Sequence, residues 1–170
     1  MRHYTTRQTI IANSPYIIMI LIGAATIAFG FGFTRWALLG ASVYIFYGIA
    51  GTIWVMIFVC PFCAYYNTRG CPCGYGILSA KFVKEGAEHC FTEKFNKHIP
   101  VIVPLWIIPL VSGGIALFFS FSWWLVALIL LFAVNSYVVL PLFSRTHSCS
   151  DCPQKSECPW MGKKYKRADR

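Results

Sequence analysis

The chain has 170 residues and a formal net charge of +9, yet only 12% of its residues are charged and 57% are apolar. Its mean hydropathy is +0.58. This composition excludes an ordinary soluble domain and indicates an all-α integral membrane protein.

Four apolar runs are each close to the length of about 20 residues that an α-helix needs to cross a bilayer. They cover residues 15–33, 36–59, 99–119 and 123–143, and none of them contains Asp, Glu, Lys, Arg or His. Only short connections, Thr34 with Arg35 and residues 120–122, join the runs in pairs. We therefore expect two transmembrane hairpins, residues 15–59 and 99–143.

The distribution of basic residues predicts the orientation of these spans. With four spans, residues 1–14, 60–98 and 144–170 share one side of the membrane. Fourteen of the fifteen Lys and Arg residues lie on that side, and only Arg35 lies on the other. Because cytoplasmic segments are enriched in Lys and Arg, we expect the N-terminus, the loop and the tail to be cytoplasmic. Topology thus accounts for the positive charge, and no nucleic-acid partner is expected.

The absence of ionisable residues from the spans excludes two function classes. Ion and proton pathways are marked by such residues inside the membrane, and haem held between helices needs axial ligands such as His. All four histidines, His3, His89, His98 and His147, lie outside the spans. An ion pump and a membrane b-type cytochrome are therefore not expected.

Cysteine is concentrated in the predicted cytoplasmic segments. The loop begins with CPFCAYYNTRGCPCGYG and the tail contains HSCSDCPQKSECPW. The eight cysteines are Cys60, Cys63, Cys71, Cys73, Cys90, Cys149, Cys152 and Cys158. Cys90 lies in residues 77–95, where apolar residues at helical spacing suggest an amphipathic helix on the membrane surface. A buried, inert thiol is the competing interpretation of Cys90.

The spacing of these cysteines predicts metal binding. The cytosol keeps thiols reduced, so dense cysteine there indicates metal ligation more than disulfides. CxxC pairs at Cys60 and Cys149 bring two thiolates to one ion with little loss of loop entropy. Eight thiolates make two sets of four, so one loop cysteine must join the three in the tail. We expect Cys149, Cys152 and Cys158 to share a centre with Cys73 or Cys90.

Thiolate spacing alone does not separate zinc from an iron–sulfur cluster. Four of the cysteines precede proline, as in the Cys-Pro that closes common cluster motifs, which favours two 4Fe–4S clusters over two zinc ions. The runs do not match the ferredoxin spacing CxxCxxCxxxCP. The architecture is similar to that of four-helix membrane ferredoxins, which carry cysteine clusters at cytoplasmic helix ends; no residue is carried over from that similarity.

Three functions follow from this pattern. The first is an iron–sulfur electron-transfer subunit that relays electrons between a cytoplasmic partner and a lipid quinone or a partner subunit in the membrane. The chain has no nucleotide motif and no acid–base constellation, so we expect a redox subunit more than a self-contained enzyme. The second is a zinc-stabilised membrane scaffold that recruits a cytoplasmic partner. The third is a thiol–disulfide or metal-handling membrane protein based on Cys60 and Cys63.

Overall fold

The structure is a computed structural model that describes residues 4–149, 152–155 and 158–159. It is all-helical, with 75% of it helical, and the described residues contain no strand. The α-helices are α1 (Thr6–Gly30), α2 (Arg35–Phe58), α3 (Tyr75–Ser79), α4 (Phe91–His98), α5 (Pro104–Phe119), α6 (Trp123–Val134) and α7 (Leu140–Phe143).

Four stretches of helix are long and apolar enough to cross a membrane: Thr6–Gly30, Arg35–Phe62, Glu88–Phe119 and Trp123–His147. The prediction of four helices that are long and apolar enough to span a membrane is thereby confirmed. Large apolar side chains on these stretches point outward, as a bilayer solvent allows; Trp36 is 81% exposed, Trp124 80% and Phe118 88%. Such exposure in water would cost about 1.5–3 kcal/mol for each large side chain relative to burial.

Helix α1 begins at Thr6, well before the apolar run that predicted it. A capping box explains the earlier start. The Thr5 N–H donates to Gln8 Oε1 at 2.9 Å, and the Gln8 N–H donates to Thr5 Oγ1 at 3.4 Å. Pro15 lies inside the helix without ending it. The predicted N-terminal segment is therefore mostly helical.

The chain forms two compact units, of which one comprises residues 14–51 and 101–141. Its helices approach closely at glycines. A Cβ at Gly23 would lie 2.6 Å from the Tyr44 hydroxyl oxygen, and one at Gly48 would lie 2.5 Å from Ile20 Cδ1. The Tyr44 hydroxyl in turn donates to the Leu105 carbonyl at 2.7 Å. Small residues thus let larger side chains of the neighbouring helix fill the interface.

The same unit buries a short polar segment on the fourth span. Residues Asn135–Val139 form a π-helical turn. The Asn135 side-chain amide donates to the Pro15 carbonyl at 3.0 Å. The Ser136 hydroxyl, by contrast, is buried without a hydrogen-bond partner. A single π turn inside a helix is frequently associated with function.

The third span begins irregularly, as its prolines predict. Residues Ile99–Ile102 form a 3-10 turn, and α5 starts at Pro104, where the missing N–H of proline costs no helical hydrogen bond. Pro109 lies inside α5.

The second unit comprises residues 1–13, 52–100 and 142–170, so it unites the N-terminus, the loop and the tail. The single amphipathic helix suggested for residues 77–95 is broken in the structure. Helix α3 ends at Ser79 and α4 starts at Phe91. Gly86 lies between these two helices, and its N–H donates to the Pro61 carbonyl at 3.0 Å. A Cβ added at Gly86 would lie 2.4 Å from Cε1 of the Phe62 ring. This tight approach fixes the break.

Candidate metal centre

The first cysteine pair lies where the second span ends. Residues Cys60–Phe62 form a 3-10 turn directly after α2. The Cys63 N–H donates to the Cys60 carbonyl at 3.1 Å, which closes the turn. The backbone N–H of Tyr65 then hydrogen-bonds to the Cys63 sulfur. A backbone donor two residues after a cysteine favours the thiolate form and orients the sulfur.

The second pair, Cys71 and Cys73, lies on a tight turn whose glycines are required. The Gly74 N–H donates to the Cys71 carbonyl at 3.1 Å, and Gly74 has a φ of +75°. A Cβ at Gly76 would lie 2.2 Å from the Tyr65 carbonyl oxygen. The two glycines give this CxC motif the conformational freedom that returns the chain to the first pair.

The N-terminal residues hold this loop in place. The Asn13 side-chain amide donates to the Cys73 carbonyl at 3.1 Å and to the Thr9 carbonyl at 2.8 Å. The Tyr4 N–H donates to the Arg69 carbonyl at 3.0 Å. The carbonyl groups beside the cysteines thus have defined partners on a separate segment of the chain.

The tail repeats the local geometry of the first pair. The Cys152 N–H donates to the Cys149 carbonyl at 3.3 Å, and the Cys158 N–H donates to the Gln154 carbonyl at 3.0 Å. The backbone N–H of Gln154 hydrogen-bonds to the Cys152 sulfur. Both CxxC motifs therefore carry a turn and an N–H donor to the sulfur of their second cysteine.

The Gln154 side chain joins the tail to the loop. Gln154 is only 9% exposed. Its Oε1 accepts a hydrogen bond from the Ala64 N–H at 2.9 Å. Its Nε2 donates to the Phe62 carbonyl at 3.3 Å and, more weakly, to the Glu88 carbonyl at 3.5 Å. One amide side chain therefore bridges Cys63 and Cys152 through their immediate neighbours.

Seven of the eight cysteines share one electrostatic neighbourhood. Cys60 lies within electrostatic range of Cys63, Cys71 and Cys73. Cys63 interacts with Cys152 and Cys158, and Cys73 interacts with Cys149. Cys71 is a neighbour of five others, namely Cys60, Cys63, Cys73, Cys149 and Cys152. The loop and tail cysteines therefore converge around Cys71.

The protein holds these thiols neutral in the absence of a cation. Burial, reinforced by neighbouring cysteines, raises the pKa of Cys63, Cys73 and Cys149 to about 12 each. Burial also raises the pKa of Cys152, although the Gln154 N–H opposes the shift. Several thiolates crowded together repel one another, and only a cation among them reverses that repulsion.

The sulfurs converge without reaching coordination geometry. Within residues 4–149, 152–155 and 158–159, no three Cys, His, Asp or Glu side chains are arranged to hold one ion. All eight cysteines are free, half-buried thiols. Cys90 is not among the neighbours that contribute to the pKa shifts of Cys60, Cys63, Cys73, Cys149 and Cys152. Metal ligation therefore requires cysteine side chains to rotate so that their sulfur atoms surround a common point.

The donor set fits a thiophilic ion or an iron–sulfur cluster. The sulfurs are half-buried, they come from three backbone turns, and two of them already accept N–H bonds of the kind that orient ligating thiolates. The sequence indicated the cysteines and their turns but not Asn13 or Gln154. No local pattern marks these two amides, since their partners lie 60 and 90 positions away.

Comparison with known proteins gives this chain no family: no protein-family model, no curated protein and no solved structure matches it.

Proposed function

We propose that the chain is a membrane-embedded metal-binding protein that carries iron–sulfur clusters and transfers electrons as a subunit of a larger complex. The observation that carries the proposal is the convergence of seven cysteines from the loop and the tail around Cys71. The N–H bonds to the Cys63 and Cys152 sulfurs support it, because they prepare these atoms for negative charge. The proposed centre is cytoplasmic, and the excess of basic residues on its side of the spans supports this part of the proposal.

One neighbour relation bears on the choice between Cys73 and Cys90 as the fourth ligand of the tail centre. Cys73 is an electrostatic neighbour of Cys149. We therefore assign Cys73 to the centre that also contains Cys149, Cys152 and Cys158. The second centre takes the remaining loop cysteines, Cys60, Cys63, Cys71 and Cys90.

An electron relay follows from the chemistry of such clusters. Burial and N–H bonds to sulfur are two of the means by which a protein sets the potential of a cluster. The electron donor in this proposal is a cytoplasmic partner, and the acceptor is a lipid quinone or a partner subunit. The chain supplies the ligands and the membrane anchor for this transfer.

A zinc-stabilised scaffold is the second candidate, and the Gln154 bridge favours it. A side chain that ties the tail to Ala64 and Phe62 serves an ordered platform as well as a redox centre. Four-thiolate zinc sites order short segments that have little apolar core of their own. The partner in this case is a cytoplasmic protein that docks on the ordered loop.

Thiol–disulfide exchange is the least supported of the three functions. A reactive cysteine pair needs a thiolate of lowered pKa, whereas burial raises the pKa of Cys63 to about 12. A metal-handling role shares the ligand set above, and the same metal measurements test it.

Anaerobic purification of the full chain tests the proposal. We expect a brown protein with broad visible absorbance, and iron and acid-labile sulfide in amounts that correspond to two clusters. Stoichiometric zinc without sulfide would establish the scaffold instead. A protein that holds neither metal under these conditions would contradict both candidates.

A further inference from the structure

A short loop after α3 presents one exposed phenylalanine between two lysines. Phe82 is 76% exposed, and Lys81 and Lys84 are exposed on either side of it. Soluble surfaces tolerate single exposed apolar residues, but an exposed aromatic ring flanked by basic residues is typical of the membrane–water interface.

The backbone of this loop is fixed, so the exposure of Phe82 is built in. The N–H groups of Phe82 and Val83 both donate to the Ser79 carbonyl at 3.0 Å. The Tyr66 hydroxyl donates to the Val83 carbonyl at 2.5 Å. Phe82 therefore projects from a turn that is anchored at both of its sides.

A hydrogen bond from Ser79 sets the depth of the loop. The Ser79 hydroxyl, which is 1% exposed, donates to the Met56 carbonyl at 2.6 Å. Met56 lies two residues before the end of α2 at Phe58. Since α2 spans about 36 Å at about 1.5 Å per residue, its last turn lies near the edge of a hydrocarbon core of about 30 Å. Ser79 is thereby tied to the last turn of a helix that is long enough to cross the membrane.

Two observations indicate what the loop contacts at this level. Ile77 and Leu78 are 37% and 40% exposed and extend the apolar surface toward Phe82. Beside them, a shallow recess of about 390 Å³ is lined by Tyr66, Lys81 and Lys84 among others. Glu85 also lines the recess, so its lining side chains carry two positive charges and one negative charge.

We propose that residues 77–84 form an interfacial membrane anchor that binds an anionic phospholipid. Phe82 inserts among the acyl chains near the headgroup level, and Lys81 and Lys84 bind the lipid phosphate over the recess. Apolar contact and positive charge then act on the same molecule, as they do in other interfacial anchors. The anchor does not depend on the identity of the bound metal.

Native mass spectrometry of the full chain in detergent tests the basic half of the anchor. Phosphatidylglycerol is titrated against the wild type, the double variant Lys81→Gln/Lys84→Gln and the matched control Arg7→Gln/Lys97→Gln. We expect the first variant to lose about 30-fold in affinity, at about 1 kcal/mol for each basic residue. The control should stay near wild type, and phosphatidylcholine should bind all three equally weakly. Equal losses in the two variants would overturn the site.

The depth of position 82 tests the apolar half. The protein with 4-fluorophenylalanine in place of Phe82 is reconstituted in bilayers that contain phosphatidylglycerol, and the same label at Phe118, which is 88% exposed on a spanning helix, serves as reference. We expect dissolved oxygen to increase the ¹⁹F relaxation rate at position 82 more than an aqueous gadolinium chelate does, as at Phe118. A dominant gadolinium effect would place Phe82 in water, overturn the anchor and leave an acidic protein as the occupant of the recess.

Discussion

The Gln154 Oε1 accepts a hydrogen bond from the backbone N–H of Ala64 at 2.9 Å, although the two residues are 90 positions apart. Ala64 follows Cys63, and Gln154 is two residues after Cys152. The bond therefore fixes the separation between a loop cysteine and a tail cysteine. It links the segment that carries the proposed tail centre to the segment that carries the proposed loop centre.

Gln154→Ala should loosen the tail from the loop. The variant leaves the Ala64 N–H without its partner, and a part-buried unsatisfied donor costs about 1–3 kcal/mol. We expect limited proteolysis to cut within residues 144–155 faster than in the wild type, and metal content to fall. Asn96→Ala removes an exposed amide from α4 and serves as the control. Equal protease resistance of the two variants would show that the bridge is dispensable.

Cys149→Ser and Cys152→Ser should each abolish one of two centres. Serine keeps the size of the side chain but lacks the soft sulfur that the metal requires. We expect the metal content per chain to fall to about half of the wild-type value in each single variant, and no further in the double variant. A double variant that lost all metal would contradict the assignment of both residues to a single tail centre.

Cys90→Ser separates the two ways to complete the loop centre. If Cys90 is its fourth ligand, the variant loses that centre while the tail centre keeps its spectrum and metal. Retention of both centres would instead identify Cys90 as a structural thiol. Metal analysis and visible spectra of the variant, purified beside Cys149→Ser, distinguish these results.

Metal loading should release protons. Because burial raises the pKa of Cys63, Cys73 and Cys149 to about 12, these thiols are protonated in the metal-free protein at pH 8. Each thiol that becomes a ligand loses its proton, so we expect about four protons for each four-thiolate centre. Zinc titration of the apoprotein in weak buffer with a pH indicator measures the release.

The same shifts predict the stability of the metal-free protein. A pKa raised from 9.0 in the unfolded chain to about 12 in the folded one means that folding favours the neutral thiol. This contribution is fully present below pH 9 and is lost as the pH rises toward 12. Apoprotein that melted at an unchanged temperature across this pH range would contradict the burial of these thiols.

Gly76→Ala should disrupt the loop, because its Cβ would lie 2.2 Å from the Tyr65 carbonyl oxygen. A backbone carbonyl does not move aside easily. We therefore expect the free energy of unfolding to fall by about 2 kcal/mol or more and the metal occupancy to decrease. Gly114→Ala is a sharp control, since a Cβ there meets nothing within 4 Å and alanine favours helix. The comparison is made from thermal unfolding and metal content in the same detergent.

The spanning helices were predictable because their signal is local. Twenty apolar residues identify a span whatever lies beside it, and the structure departs from the prediction mainly where polar residues continue a helix, as at Thr6 before the first run. The break between α3 and α4 was harder to predict from the sequence. Gly86 weakens the helix, but its contact with Phe62, 24 positions earlier, fixes the break.

The candidate site was predictable only in its ligands. Cysteine type and CxxC spacing appear in the sequence, and so do the glycines of the CxC turn. The neighbour relation between Cys73 and Cys149 depends on how two distant segments pack. The structural roles of the Gln154 and Asn13 amides were not predictable either, because their hydrogen-bond partners come close to them only in the folded chain.

The hydrogen bond from Asn135 to the Pro15 carbonyl bears on how the helices find one another during insertion. A lone carboxamide carried into hydrocarbon seeks any acceptor within reach. Here the acceptor was synthesised 120 positions earlier. The fourth spanning stretch thus carries a side chain that favours packing against the helix of Pro15 over packing against a chance neighbour.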